Sequence, residues 1–189
     1  IVNAGASPVF ADISLDSQNI TVESISKVFT EKTRAIVCVH LAGWPCDMDP
    51  IMELAKQLNL VVIEDCAQAI GAEDQGRRVG GIGHQGCFSF FPAKNLGCLG
   101  DGGLVTTDDD AIADRIRLIR NHAEAVVEKM GHENLVNMLG FNYRMTELEA
   151  ALGRIQLTRL DELVGIRREN SKALIKGLSG LPGITMPKT

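Results

Sequence analysis

An α/β fold, an αβα sandwich around a mixed and mostly parallel sheet, is predicted by two features of this sequence. Short β-branched runs alternate with helical apolar spacing: Ala35 to Leu41 and Val61 to Ile63 have strand character. Between them Ile51, Met52, Leu54, Ala55 and Leu58 recur as on one face of a helix. Alternation of this kind builds βαβ units with right-handed crossovers. The second feature is an acid, Asp65, where a buried strand should be ending. That is the edge at which ligands bind in open α/β sheets.

The elements follow in order. Pro8 to Ile13 reads as a strand and Val22 to Phe29 as a short helix. The strand from Ala35 is followed by a helix over Asp49 to Leu58, then by the strand from Val61. Glycines punctuate Gly71 to Gly86, which predicts an excursion with a small hairpin. Cys87 to Phe91 and Gly103 to Thr107 are strands. Asp108 to Arg120 is a helix, acidic at its start and with Arg117 and Arg120 near its end, a polarity that suits the helix dipole. Asn121 to Phe141 is polar and irregular and reads as a long loop. Thr146, with Glu149 three residues on, forms a capping box for a long helix that runs toward Leu178. Its apolar stripe is Leu148, Ala151, Leu152, Ile155, Leu160, Leu163 and Val164. Residues 1–178 are expected to form one domain, and 179–189 the start of another unit.

The chain has 189 residues, 45% of them hydrophobic and 23% charged, which suits one soluble globular domain with a sizeable core. A net charge of −5 disfavours a nucleic-acid partner. No apolar run approaches a membrane span and nothing resembles a signal peptide. The opening Ile1-Val2-Asn3 lacks an initiator Met, so a fragment or processed chain is expected. The five cysteines form no CxxC pair. They fit small buried residues of a reducing, cytoplasmic compartment better than disulfides or a zinc site, and no metal is expected.

The chemistry centres on Lys94, in the run Cys87-Phe88-Ser89-Phe90-Phe91-Pro92-Ala93-Lys94-Asn95. A lysine on a loop after one strand and an aspartate ending another are two parts of a pyridoxal 5'-phosphate site. The lysine forms a Schiff base, and the carboxylate keeps the ring nitrogen protonated so that the ring accepts electrons. Bland readings stand beside this one. A strand-ending Asp also serves as a helix N-cap or turn former, and a lone Lys more often snorkels at a surface. Glu64 and Asp65 point to opposite faces, so only one of them faces a given ligand. Ser89 offers a hydroxyl to a phosphate or to the backbone, and Gln68 can reach the same ligand from the next turn. His40, His84, His122 and His132 show no ligand spacing and read as structural or exposed.

Together these residues resemble the DegT/DnrJ/EryC1/StrS family of sugar aminotransferases, of the aspartate-aminotransferase fold type. The matching stretches run from Gly5-Ala6-Ser7-Pro8-Val9-Phe10-Ala11-Asp12-Ile13 through Val39-His40-Leu41-Ala42-Gly43 and Asp47-Met48-Asp49. They continue in Glu64-Asp65-Cys66-Ala67-Gln68-Ala69, Phe88 to Asn95, Gly100-Asp101-Gly102-Gly103 and Gly140-Phe141-Asn142-Tyr143-Arg144-Met145. The resemblance implies a large cofactor-binding domain truncated at both ends. Lys94 would be the Schiff-base lysine and Asp65 the pyridinium partner. Gln68 would lie against the ring or its hydroxyl, and Ser89 would bind the phosphate. Asn142 would reach the phosphate in the partner subunit of a homodimer with shared active sites. It assigns no role to Tyr143 or Arg144. The implied reaction transfers an amino group from an amino acid, glutamate by resemblance, to a keto-sugar nucleotide in amino-sugar or polysaccharide biosynthesis. Two rival readings are a truncated chain that only folds or associates, and a pyridoxamine-phosphate-dependent sugar dehydratase. Dehydratase relatives have a histidine where this chain has Lys94, which argues against the second.

Overall fold

The computed structural model describes residues 1–124 and 138–186. Helix α1 (Val22–Val28) opens with a capping box between Thr21 and Ser24. Strand β1 (Ala35–Val39) leads to α2 (Met48–Leu58) and β2 (Val61–Asp65). A hairpin of β3 (Glu73–Asp74) and β4 (Arg77–Arg78) interrupts the sheet. Then come β5 (Gln85–Ser89), β6 (Gly103–Thr106) and α3 (Asp110–Arg120), which Asp109 caps through Ile112 N. Helices α4 (Glu147–Thr158) and α5 (Leu160–Leu178) complete the order.

The four-stranded sheet runs β1-β2-β5-β6. Both β1–β2 and β2–β5 are parallel, and β5–β6 is antiparallel. The sheet is therefore mixed and mostly parallel. Ile36 and Cys38 of β1 and Val62 of β2 are buried against Ile25 of α1 and Met48, Ile51 and Ala55 of α2. Met48, Ile51 and Ala55 are spaced three and four residues apart, the stripe by which an amphipathic helix meets a sheet. The small hairpin and the capping box of Thr146 with Glu149 stand where the sequence predicts them.

Three expectations are corrected. Pro8 to Ile13 is not a strand: only Ile13 pairs, in a single bridge to Ile20, and Phe10 is 90% exposed. Extended backbone becomes a strand only when a neighbour takes its hydrogen bonds, and no described strand lies beside residues 8–12. Strand β2 reaches beyond Ile63, so that Glu64 and Asp65 both belong to it. The long helix from Thr146 is two helices. Arg159 (φ −103, ψ 2) leaves the helical path. The bend turns Leu160 and Val164 onto Gly71, where an added Cβ would stand 3.0 Å from Val164 Cγ2 and 3.7 Å from Leu160 Cδ2. Leu160 is buried as a result, whereas Leu148 and Ile155 of the same stripe are 84% and 64% exposed. The long loop predicted over Asn121 to Phe141 lies mostly outside the described residues. Its ends meet, since His122 N donates to Phe141 O.

Close backbone approach sets one feature that side chains cannot replace. A Cβ on Gly86 of β5 would collide with the Cα and carbonyl of Gly80 and stand 2.6 Å from Thr106 Oγ1, which itself donates to Gly80 O. Backbone has nowhere to retreat in a packed sheet. Gly86→Ala is expected to lower stability by about 1–3 kcal/mol, read as a fall in the urea midpoint with little change in slope.

Candidate active site

The parallel strands β2 and β5 end side by side, with Asp65 opposite Cys87 and Ser89 two residues further along. The pleat sends the two acids of β2 to opposite faces. Glu64 goes inward and is 0% exposed, while Asp65 is half-buried. The Glu64 carboxylate accepts from the amides of Gly80 (2.7 Å), Ile82 (2.8 Å) and Gly83 (2.6 Å), and pairs with His40 Nε2 at 3.1 Å. Gly83 is a glycine because a Cβ there would meet Val62 O at 3.1 Å and Glu64 Cγ at 3.2 Å.

His40 is equally buried, and its ring is oriented at both ends. Nδ1 accepts from Cys46 N at 3.0 Å, so the proton of the neutral ring sits on Nε2 and is donated to Glu64. All the partners of Glu64 are therefore donors, which defines an ionised carboxylate. Burial pushes its carboxyl up, but the His40 bond and the Gly80, Gly83 and Ile82 amides outweigh burial and hold it below its ordinary value. His40, Glu64 and Cys66 bring ligand-type atoms within 4.8 Å of one another. A metal would need a bare ring nitrogen on His40. With Nδ1 occupied by Cys46 N–H and Nε2 protonated, this trio fits a hydrogen-bonded core and not a metal centre.

Asp65 faces the other way. Its Oδ1 accepts from Ala67 N at 3.0 Å, and Oδ2 has no hydrogen-bond partner among the described residues. Gln68 lies one turn on. Its Oε1 accepts from Ala42 N at 2.8 Å, which leaves the amide N–H groups as its unused end. Ala42 holds φ 53, a left-handed conformation uncommon for a residue with a Cβ. Ser89 ends β5 opposite Gly103, and its Oγ accepts from Phe91 N at 3.3 Å.

Lys94 is half-buried in the loop that follows, where its backbone N–H bonds Phe91 O at 2.8 Å. Its ammonium makes no ion pair or hydrogen bond with any described residue. The loop is closed at its base, since Phe90 N bonds Gly102 O and Cys98 N bonds Phe90 O. Gly102 lies under Met145, where a Cβ would stand 2.6 Å from the sulfur. Asp65, Gln68, Ser89 and Lys94 thus follow the carboxyl ends of adjacent strands. Asn142 is elsewhere: it bridges Asn121 beyond the end of α3, is exposed, and has no bond to the other four. Phe141 and Tyr143 stack beside it at 4.9 Å.

A family model described as the DegT/DnrJ/EryC1/StrS aminotransferase family matches residues 1–189. The chain belongs to this family. It is 43% identical over 185 residues to the dTDP-3-amino-3,4,6-trideoxy-alpha-D-glucose transaminase of Streptomyces venezuelae, covering 98% of this chain and 47% of that protein. It is 41% identical over 177 residues to a GDP-perosamine synthase of Escherichia coli, covering 94% of this chain and 47% of that protein. Among solved structures, an aminotransferase from Psychrobacter cryohalolentis superimposes with a TM-score of 0.89 at 47% identity, over 94% of this chain and 47% of that one. The chain spans about half the length of these relatives. Among the described residues, no helix is long and apolar enough to cross a membrane.

Sequence reasoning missed the His40–Glu64 pair and the Ala42–Gln68 bond. The available signal was positional: His40 follows one predicted parallel strand and Glu64 lies near the end of the next. The free cysteines Cys38, Cys46, Cys66 and Cys98 are buried and Cys87 is half-buried, as small core residues.

The depressed carboxyl of Glu64 ties stability to pH. Its folded value lies below its unfolded one, so its contribution is complete above the ordinary carboxylate range and is lost as pH falls through the folded value. Urea midpoints measured from neutral to acid pH are expected to fall more steeply for the wild type than for Glu64→Gln, whose amide does not titrate.

Proposed function

We propose that this chain is the cofactor-binding part of a pyridoxal-phosphate-dependent aminotransferase. It would move an amino group from an amino acid, glutamate by family resemblance, to a keto-sugar nucleotide. The observation that carries this reading is the placement, beyond the carboxyl ends of the adjacent strands β2 and β5, of an aspartate oxygen and a lysine Nζ that bond no described residue. Membership of an aminotransferase family gives that placement its chemical sense. The relatives named as a dTDP-sugar transaminase and a GDP-perosamine synthase support a nucleotide-sugar acceptor.

The donor set suits the cofactor. Asp65 Oδ2 is an acceptor for a protonated ring nitrogen, and the free amide N–H of Gln68 suits the ring or its phenolic oxygen. The Ser89 hydroxyl, at the end of β5, suits the phosphate. When bound, pyridoxal phosphate supplies an aldehyde that takes up the amine and a ring that accepts electrons. Lys94 Nζ would be the amine that holds such a cofactor through its aldehyde. The same amine, when not bonded to the cofactor, would serve as the base that moves a proton at the amino acid's α-carbon. A positioned base of this kind is worth on the order of 10²–10⁴ in rate. Asp65, fixed at Oδ1 by Ala67 N, would hold a proton on the cofactor's ring nitrogen through its other oxygen.

The proposed holoprotein is a homodimer in which Asn142 reaches the partner's phosphate. The exposed Tyr143, Leu148 and Ile155 around the start of α4 support that surface. Nearer the start of the sequence Phe10 and Leu15 are also exposed. Exposed apolar side chains of this kind suit a protein–protein contact.

Two outcomes are expected. Borohydride reduction with pyridoxal phosphate present, followed by peptide mapping, should place the pyridoxyl group on Lys94; a label spread over several lysines would contradict the assignment. Light scattering at several concentrations should give twice the monomer mass, and a stable monomer throughout would remove the role of Asn142 in trans.

A further inference from the structure

We infer that His40 and Glu64 are positioning residues for the cofactor's ring, acting through Asp65 and Gln68. The inference rests on the proposed cofactor site, but it concerns residues that do not face that site.

The geometry is a brace. His40 grips β2 twice: its backbone N–H bonds the carbonyl of Asp65 at 3.1 Å, and its ring holds the carboxylate of Glu64 at 3.1 Å. Asp65 is thus fixed by its own carbonyl and by the side chain of its neighbour. The same segment then reaches Gln68. Ala42 N bonds Gln68 Oε1 at 2.8 Å, and a Cβ on Gly43 would stand 3.2 Å from Gln68 O. The far side of Glu64 is nailed to Gly80, Ile82 and Gly83. Cys66, between the two ligand-facing residues, is held by its N–H on Cys87 O at 2.8 Å. The bonds on Asp65 O, Cys66 N and Gln68 Oε1 thus lead back to strand β5 or to the turn that His40 begins, while Ala67 N and Cys66 O are held locally by Asp65 Oδ1 and Ala69 N.

This arrangement does more than stabilise the sheet. The turn from His40 sets which end of the Gln68 amide is free: with Oε1 taken by Ala42, only N–H remains to be presented. The ring of His40, fixed in one tautomer by Cys46 N, sets where that turn starts. A small rotation at His40 would move the Asp65 carbonyl and the Ala42 amide together. Misplacement of this size at a binding group is felt strongly in enzymes.

The test compares two substitutions in the full-length protein, made cofactor-free and titrated with pyridoxal phosphate. In His40→Gln the amide nitrogen reaches the place of Nε2 and keeps the donor to Glu64. In His40→Asn the shorter amide keeps an acceptor for Cys46 N and loses Glu64. His40→Asn is expected to bind the cofactor about tenfold or more weakly, as loss of a hydrogen bond to a charged group implies. Its bound-cofactor band, near ~400 nm in the wild type, should move to shorter wavelength as ring protonation weakens. His40→Gln, which keeps the Glu64 bond but gives up the acceptor for Cys46 N, should lose less affinity and shift its band less than His40→Asn. In an Asp65→Asn background the added effect of His40→Asn should shrink, because the two residues act as a unit. Thermal unfolding monitors the fold, and the same cycle with Glu64→Gln decides if His40→Asn does not fold. Equal affinity and spectra for wild type, His40→Asn and His40→Gln would overturn the inference, as would full additivity with Asp65→Asn. Failure of the wild type to take up the cofactor would instead overturn the proposed function beneath it.

Discussion

A carboxylate sealed from water, with no lysine or arginine beside it among the described residues, governs this structure. Burying such a charge costs several kcal/mol unless donors surround it. Glu64 meets that demand with backbone amides from the glycine-rich loop and one imidazole. The demand propagates. The loop over Gly80 to Gly83 must turn its N–H groups inward, so it passes close enough to β2 to exclude side chains at Gly83. His40 must keep its proton on Nε2, so Nδ1 needs a donor, and the chain returns at Cys46 to supply one. That return sets the start of α2 two residues later. Among the described residues no buried side-chain polar atom lacks a partner, as a charge in so dry a place requires.

The Lys94 loop is restrained by a different device. Strand β6 runs against β5, so the ladder continues past Ser89 into Phe90 N to Gly102 O and closes the loop at its base. The Cys98 thiol caps Phe90 O and Gly100 O from inside. A Cβ on Gly97 would meet Pro92 O at 2.7 Å, so the chain doubles back beneath Pro92. Backbone bonds, not side-chain ion pairs, hold this lysine in place. Its Nζ makes no bond to a described residue.

Much of this was legible in the sequence, for reasons that differ by residue. Helix α2 was visible because Ile51, Met52, Leu54, Ala55 and Leu58 recur at helical spacing, and strands β1 and β2 because each is a short β-branched run. Asp65 was visible as a strand-ending acid, whereas the strand read over Cys87 to Phe91 is β5 over Gln85–Ser89, which puts Ser89 at its end and not within it. Residues 8–13 were misread because β-propensity reports the side chain and not whether a neighbour is present to pair with it. The break at Arg159 was invisible because the stripe from Leu148 to Val164 stays helical in spacing across it. Only the contact with Gly71, 88 residues earlier than Arg159, reveals why the axis turns. The brace of His40 on Glu64 was hidden in the same way, since it joins residues 24 apart across parallel strands.

The two acids of β2 show how a site acquires a precise charge from an imprecise composition. Glu64 and Asp65 are neighbours with nearly the same chemistry, and the pleat alone separates them. A one-residue slip in register would exchange their fates: Asp65 would enter the ring of amides, one methylene too short to reach it, and Glu64 would face the site. Parallel pairing fixes against that slip from both sides, through Val39 opposite Asp65 on β1 and Cys87 opposite Asp65 on β5. The inward carboxylate then makes the register self-enforcing, because its donors come from segments that only the correct register brings within reach. The outward carboxylate inherits its position from that lock without spending its own oxygens on it. Oδ1 is used once, on a neighbouring amide, and Oδ2 remains unengaged among the described residues.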